Sequence, residues 1–429
     1  MKILIENGLV VDPSAEPGME PEKRPLIIEN GVFADPETWG GATPDRIIDA
    51  GGLYVFPGLI DAHCHLRDPG YEYKEDIISG TLSAAHGGFS TVACMPNTKP
   101  VCDHAALVRY ILEKAERSGF ARVLPIGAVS KGQQGKELAE IGLMAEAGAV
   151  AISDDGHPVA EADLMRKAML YASQFGLTVI SHCEDLSLAA DGQMNEGAWS
   201  TMLGLRGIPD LAESVMAARD CLLAEYLQIP VHLAHISCRR SVRIIREAKA
   251  RGVKVTAETC PHYFTLTEAD CRGFNTQAKM NPPLRTADDV AAIIEGLADG
   301  TIDLIATDHA PHHQDEKELE FALANNGIVG FETALPLGYT FLVRPGKLSL
   351  TAWLRTMTTN PARLLRQPTG TLQPGRPADL VLVDLDHLFR FDKNQMASRS
   401  RNTPYQDWEL YGKVRGTFCA GRMTYDTFC

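Results

Sequence analysis

"LIDAHCHLRDPG", residues 59–70, decides how this chain is read: an apolar run ends in two histidines one residue apart, with Arg67 and Asp68 close behind. In an extended strand residues i and i+2 share a face, so His63 and His65 point together while Cys64 points away. Two imidazoles on one face begin a transition-metal site, yet a lone His-x-His is equally ordinary polar packing. The answer depends on how the other apolar runs end.

Eight such runs are present: "VFPGLIDAH" (55–63), "STVACM" (90–95), "RVLPIGAV" (122–129), "GAVAIS" (148–153), "LTVISH" (177–182), "PVHLAH" (230–235), "VKVTAE" (253–258) and "IDLIATD" (302–308). Helical stretches fall between most of them, for instance at 162–175, 210–227 and 239–250. Strands alternating with helices predict parallel βαβ units, and eight of them predict a (β/α)8 barrel with its site at the C-terminal strand ends. The fifth run finishes at His182, the sixth at His235 and the eighth at Asp308, while the fourth runs into Asp154 and Asp155. Histidines and carboxylates thus converge on one rim, enough for two metal ions sharing a carboxylate. His232, three residues from His235, is expected to turn to the other face and pack. Glu184 reads as a loop charge, and His86, His104 and His387 as ordinary residues. "SKGQQGKE" (130–137) lacks the Gly-Lys-Ser/Thr ending of a phosphate loop.

The ends of the chain differ from its middle. "KILIENGLVVD" and "LIIENGVFAD" each place Asn-Gly between β-rich runs, a hairpin signal, and the last sixty residues are again strand-like. The two ends are expected to pair into one small domain.

Of 429 residues, 45% are apolar and 22% charged, with a net charge of −14 and no basic block. That balance argues against nucleic acid and anionic membrane as partners, and an anionic substrate would need its own locally placed cation. No apolar window is long enough to span a membrane. Glu6 and Asn7 interrupt the start where a signal peptide needs an unbroken apolar stretch. The ten cysteines form no CxxC pair. A cytoplasmic protein with reduced thiols is the expectation.

Taken in order, "DAHCHLRDPG", "ACMPNTKP", "SDDGHPV", "SHCED", "AHIS", "ETCPHY", "MNPPLR" and "ATDHAPH" resemble the dihydroorotases of the amidohydrolase superfamily, in the longer class built like hydantoinases. The resemblance implies a barrel over 55–368 and a small β-sandwich made from 1–54 and 369–429. It implies zinc, two ions with one as the alternative: His63, His65 and Asp308 on one, His182 and His235 on the other, and a carboxylate of the fourth strand between them. Relatives often use a carboxylated lysine there; "GAVAISDDG" has none, so an aspartate must serve, and the family pattern favours Asp155 over Asp154. The implied reaction is reversible hydrolysis of the ring amide of dihydroorotate, in pyrimidine biosynthesis, by water activated between the zinc ions, with Asp308 carrying the proton.

Arg67, His65, Asn97 and His312 are then placed at the substrate, with the Arg67 fork suited to its carboxylate. A surface ion pair of Arg67 with Asp68 or Glu72 is the competing reading. Asn281 is placed at the ring, and the backbone of Asn326 and Gly327 closes over it from a polar stretch, 311–327, that reads equally as a mobile lid or a passive surface loop. The resemblance further implies a homodimer and allows association with aspartate transcarbamoylase. A hydantoinase or allantoinase is disfavoured by the missing lysine and by Arg67 with Asn97. A catalytically silent scaffold subunit is disfavoured because every expected ligand position is retained.

Overall fold

The computed structural model describes residues 1–15, 21–36, 39 and 43–428. The eight runs form one parallel sheet in sequence order: Leu59–Cys64, Phe89–Cys94, Arg122–Gly127, Ala151–Ser153, Thr178–Ser181, Val231–Leu233, Val255–Thr259 and Leu304–Ile305. First and last edges meet. Cys64 bridges His309 in parallel, His65 N donates to His309 O at 2.9 Å, and Asp308 N donates to His63 O at 3.0 Å. The sheet therefore closes into a barrel, and the helices Ala162–Gln174, Leu211–Leu227 and Arg239–Ala250 lie where their periodicity predicts.

Alternation sorts each strand between two cores. Ile60, Ala62, Ala93, Leu124, Ile126, Ala151 and Ile180 fill the barrel interior. Leu59, Val92, Val123, Ile152, Val179, Val231 and Val255 face the helices. Both faces are buried, which is why the strands read as nearly unbroken apolar runs.

The run 55–63 is not one strand but two, divided at Gly58. Tyr54–Pro57 pairs with Leu380–Arg390 from the other end of the chain, and Leu59–Cys64 turns into the barrel. A side chain at Gly58 would collide with Ser90.

Two terminal sheets pack on each other. One holds four strands (Val32–Ala34, Leu26–Glu29, Lys2–Glu6, Arg46–Asp49); the other holds six (Arg422–Asp426, Glu409–Cys419, Leu380–Arg390, Tyr54–Pro57, Leu9–Val10, Glu22–Lys23). Ile3, Ile5, Ile28, Phe33, Leu380, Leu382 and Phe418 share the core between them. The alternate residues Val381 and Val383 belong to the outer core of the barrel. The sandwich is thereby fixed to the barrel through the reverse face of its larger sheet, where Phe56 and Val414 join the same core.

Only one of the two Asn-Gly signals makes a hairpin. Leu26–Glu29 and Val32–Ala34 pair across Asn30 (φ 51°) and Gly31 (φ 86°), as a two-residue turn requires. At Asn7 the strands on either side part to different sheets, Lys2–Glu6 to the four-stranded one and Leu9–Val10 to the six-stranded one. Asn7 keeps its left-handed φ of 66° there and donates to Asp49 Oδ1 at 2.9 Å.

Among the described residues no helix is long and apolar enough to cross a membrane, and the described cysteines are free.

Candidate metal centre and substrate cleft

The expected residues meet at the C-terminal rim of the barrel. A cleft of about 430 Å³ is lined by His65, Arg67, Asn97, Asp155, His182, His235, Asn281, Asp308, His312, Asn326 and Gly327. His63 lies beneath it, fully buried. A register irregularity between Asp61 and Cys64 re-aims the first strand, turning both histidines to the rim while the Cys64 thiol points to Ala93 O.

Asp155 stands at the centre. Its Oδ1 lies 3.4 Å from His63 Nε2, 3.5 Å from His182 Nδ1 and 3.4 Å from His235 Nε2, and its Oδ2 lies 3.5 Å from His65 Nε2. Two groups of potential ligand atoms result, His63–His65–Asp155 and Asp155–His182–His235, and Asp155 belongs to both. Asp308 Oδ1 lies 3.0 Å from His65 Nε2 and 3.7 Å from His63 Nε2. Asp154 is turned away and fully engaged, accepting from Val129 N at 2.8 Å, Ser130 N at 3.1 Å and the Ser130 hydroxyl.

The donor set suits a metal ion. His63 Nε2 is buried with no hydrogen-bond partner among the described residues, facing Asp155. His182 Nδ1 and His235 Nε2 stand only 2.8 Å apart. Nitrogen and carboxylate oxygen donors in this arrangement are those zinc takes. Burial alone would raise the Asp155 carboxyl. The His63 charge and hydrogen bonds from His182 and His235 outweigh it and hold Asp155 well below the usual carboxylate range. Asp308 follows the same logic: burial opposes ionisation, and the His65 hydrogen bond with the surrounding imidazoles prevails.

Three residues at the rim carry positive φ without being glycine: Arg67 (59°), His235 (35°) and Asp308 (45°). Such backbone is costly by roughly 1–3 kcal/mol each and persists where surrounding structure enforces it. It places each side chain just past its strand, pointing into the cleft.

Arg67 makes no ion pair with Asp68 or Glu72. Asp68 pairs with Lys114 at 2.6 Å, and Glu72 accepts from Gly70 N. The guanidinium instead donates to Pro311 O at 3.2 Å and lies 3.3 Å from His312 Nε2. Asn97 Oδ1 is 2.9 Å from His65 Nδ1, and Asn97 Nδ2 donates to Asp155 Oδ2 at 3.4 Å, leaving its second hydrogen for the cleft.

Sequence reading missed two carboxylates and misplaced one histidine. Glu184, read as a loop charge, lies 3.3 Å from His182 Nε2 and accepts from Asn281 Nδ2 at 3.2 Å. Glu258, buried beneath the rim, lies 2.7 Å from His63 Nδ1 and 3.0 Å from His232 Nε2. His232 packs as expected, but inside the barrel, below the site. The strand ends at Leu233 and His235 follows in left-handed backbone, so alternation between the two histidines does not hold. A carboxylate opposite the second nitrogen of a rim histidine, as at His63 and His182, was the available signal.

Residues 52–241 match the family described as Dihydro-orotase-like, and residues 328–425 match the Amidohydrolase family. A dihydroorotase of Acetivibrio thermocellus is 59% identical over 377 residues, covering 88% of both chains. One from Syntrophotalea carbinolica is 56% identical over 99% of both. The chain belongs to the dihydroorotases. Among solved structures, the L-hydantoinase of Arthrobacter aurescens superposes with a TM-score of 0.88 at 24% identity, over 99% of this chain and 96% of that one. The dihydropyrimidinase of Brevibacillus agri gives 0.85 at 24%, over 99% and 95%. At that identity they share the fold with this dihydroorotase family member. Its fourth barrel strand, Ala151–Ser153, carries no lysine, and the carboxylate at the centre of the rim comes from Asp155.

Proposed function

We propose that the chain hydrolyses the ring amide of dihydroorotate reversibly to N-carbamoyl-aspartate, in pyrimidine biosynthesis, at a zinc centre of two ions. The carrying observation is one cleft with two chemically different ends: Arg67, His312 and Asn97 at one, the Asp155-centred ligand groups at the other.

His63, His65 and Asp308 would hold one ion, His182 and His235 the other, with Asp155 shared. Zinc bound there acidifies water and polarises a carbonyl. The remaining work falls to the protein. Arg67 offers a two-pronged donor to the substrate carboxylate, and its half-buried guanidinium has no carboxylate partner of its own among the described residues. His65, Asn97 and His312 complete that end. Asn281 commits its Nδ2 to Glu184, which leaves Oδ1, buried and unpartnered, to accept a ring N–H. The Gly327 N–H donates to Lys279 O and its carbonyl accepts from Lys317 and Asn402, so Gly327 contributes shape and Asn326 the polar contact. Asp308, ionised through its imidazole neighbours, takes the proton released in hydrolysis and delivers it to the leaving nitrogen.

The same reading carries a cytoplasmic enzyme acting as a homodimer, able to associate with aspartate transcarbamoylase; sedimentation with and without that enzyme tests both. The activity itself is tested by turnover of dihydroorotate, hydantoin, allantoin and dihydrouracil by the zinc-loaded protein. Selective turnover of dihydroorotate is expected. Preference for hydantoin or dihydrouracil, which lack the carboxylate, would remove Arg67 from its role and the reading with it.

A further inference from the structure

The stretch 311–327, after the eighth strand, is held by donors that the proposed chemistry does not use. Asn402, 3% exposed and more than seventy residues away in sequence, clasps both ends of the loop. Its Nδ2 donates to Ala310 O at 2.9 Å and Gly327 O at 3.0 Å, and its Oδ1 accepts from His312 N at 3.0 Å. Lys317, 1% exposed, lies inside the loop and donates to Asn325 O at 2.7 Å, Gly327 O at 3.1 Å and Lys279 O at 3.3 Å. Among the described residues no carboxylate pairs with it.

Burial and the nearby Lys279 push the Lys317 amine down to about 7, and, charged or neutral, its buried donors are costly to leave unmet. Here every acceptor is a backbone carbonyl, and two of the three belong to the loop itself. The Lys317 amine is satisfied with Asn325 and Gly327 in these positions. A loop shape that carries these carbonyls away leaves its buried donors unmet. Gly327 shows how tight the arrangement is: at φ 122° an added Cβ would meet Ala310 Cβ at 2.6 Å and lie 3.4 Å from His312 Nε2.

We infer that Lys317 and Asn402 are positioning residues that set the Asn326–Gly327 segment and His312 in their substrate-binding arrangement before substrate arrives. The loop is then a preformed wall of the cleft rather than a lid closed by the ligand. This rests on the dihydroorotate reading only for the identity of what is bound.

Hydrogen–deuterium exchange on the zinc-loaded, ligand-free wild type reads the loop without any substrate. Protected amides at His312, Gly327 and Val329 are expected, and free exchange there until ligand is added would overturn the inference. Kinetics of Asn402→Ala and Lys317→Met then give the second readout. Remote contacts made equally in ground and transition state appear in KM, so each variant should raise KM for dihydroorotate about tenfold or more with kcat within about threefold. Because both donors meet Gly327 O, the double variant should lose less than the sum of the singles. Unchanged KM in a folded, zinc-loaded Asn402→Ala variant would overturn the inference, as would equal loss of kcat, zinc and stability in both variants. A wild type that is protected yet inert toward dihydroorotate would instead refute the proposed substrate and leave the clamp standing.

Discussion

His63 Nδ1 lies 2.7 Å from Glu258 Oε1, and neither side chain is exposed at all. Burial would raise the Glu258 carboxyl, yet His63 and His232 hold it far below the ordinary range. The charge fixes the orientation of the ring: with Nδ1 engaged, Nε2 is presented to Asp155. Glu258→Gln keeps the shape and removes the charge. It should weaken zinc binding by about 10–100-fold, the usual scale for a partner of a ligating histidine, measured by competition with a chromogenic chelator. Wild-type affinity in that variant would separate Glu258 from the metal centre.

The neighbours Asp154 and Asp155 should fail in different ways. Asp155→Ala should lose zinc and activity together while the fold persists. Asp154→Ala leaves the Val129 and Ser130 amides without their acceptor and should cost about 1–3 kcal/mol of stability, while most of the metal stays bound. Denaturant melts and metal analysis of both variants distinguish the outcomes. Zinc loss confined to Asp154→Ala would reverse the assignment.

Arg67→Lys keeps a positive charge and loses the fork. With no carboxylate partner beside it, the variant should stay folded and zinc-loaded and lose about 1–3 kcal/mol of substrate affinity. Equal KM values for the two proteins would show that the carboxylate is held elsewhere.

Away from the cleft, burial pushes the His86 imidazole down to about 4 from its ordinary 6.5, and Lys413 adds to the effect. The unfolded chain therefore binds this proton at higher pH than the folded one. The stability His86 contributes is present above about pH 6.5 and falls as pH drops toward 4. His86→Gln should lose less stability than the wild type between pH 7 and 4.5, read as the change in urea midpoint. Parallel curves would show that His86 titrates normally.

The barrel and the rim could be read in advance because both are written locally. Runs such as "STVACM" and "LTVISH" are apolar on two faces, and each candidate metal ligand sits at or just past the end of its run. What escaped depends on distant partners. Nothing beside Glu258 in sequence announces His63, and nothing beside Asn402 announces Gly327. Asn7-Gly8 carries the local turn signal of a hairpin, but the pairing was settled by Tyr54 and Val55, which take Leu9 and Val10 into another sheet. His232 was misplaced because strand alternation was extended past Leu233, where the backbone had already left the strand.

The most direct measurement is a crystal structure of the zinc-loaded protein with dihydroorotate or N-carbamoyl-aspartate bound, using anomalous scattering at the zinc edge. Two zinc peaks sharing Asp155 are predicted, with the ligand carboxylate on Arg67, Asn97 and His312 and the ring N–H on Asn281. A metal held without Asp155, or a ligand whose carboxylate turns away from Arg67, would contradict the account.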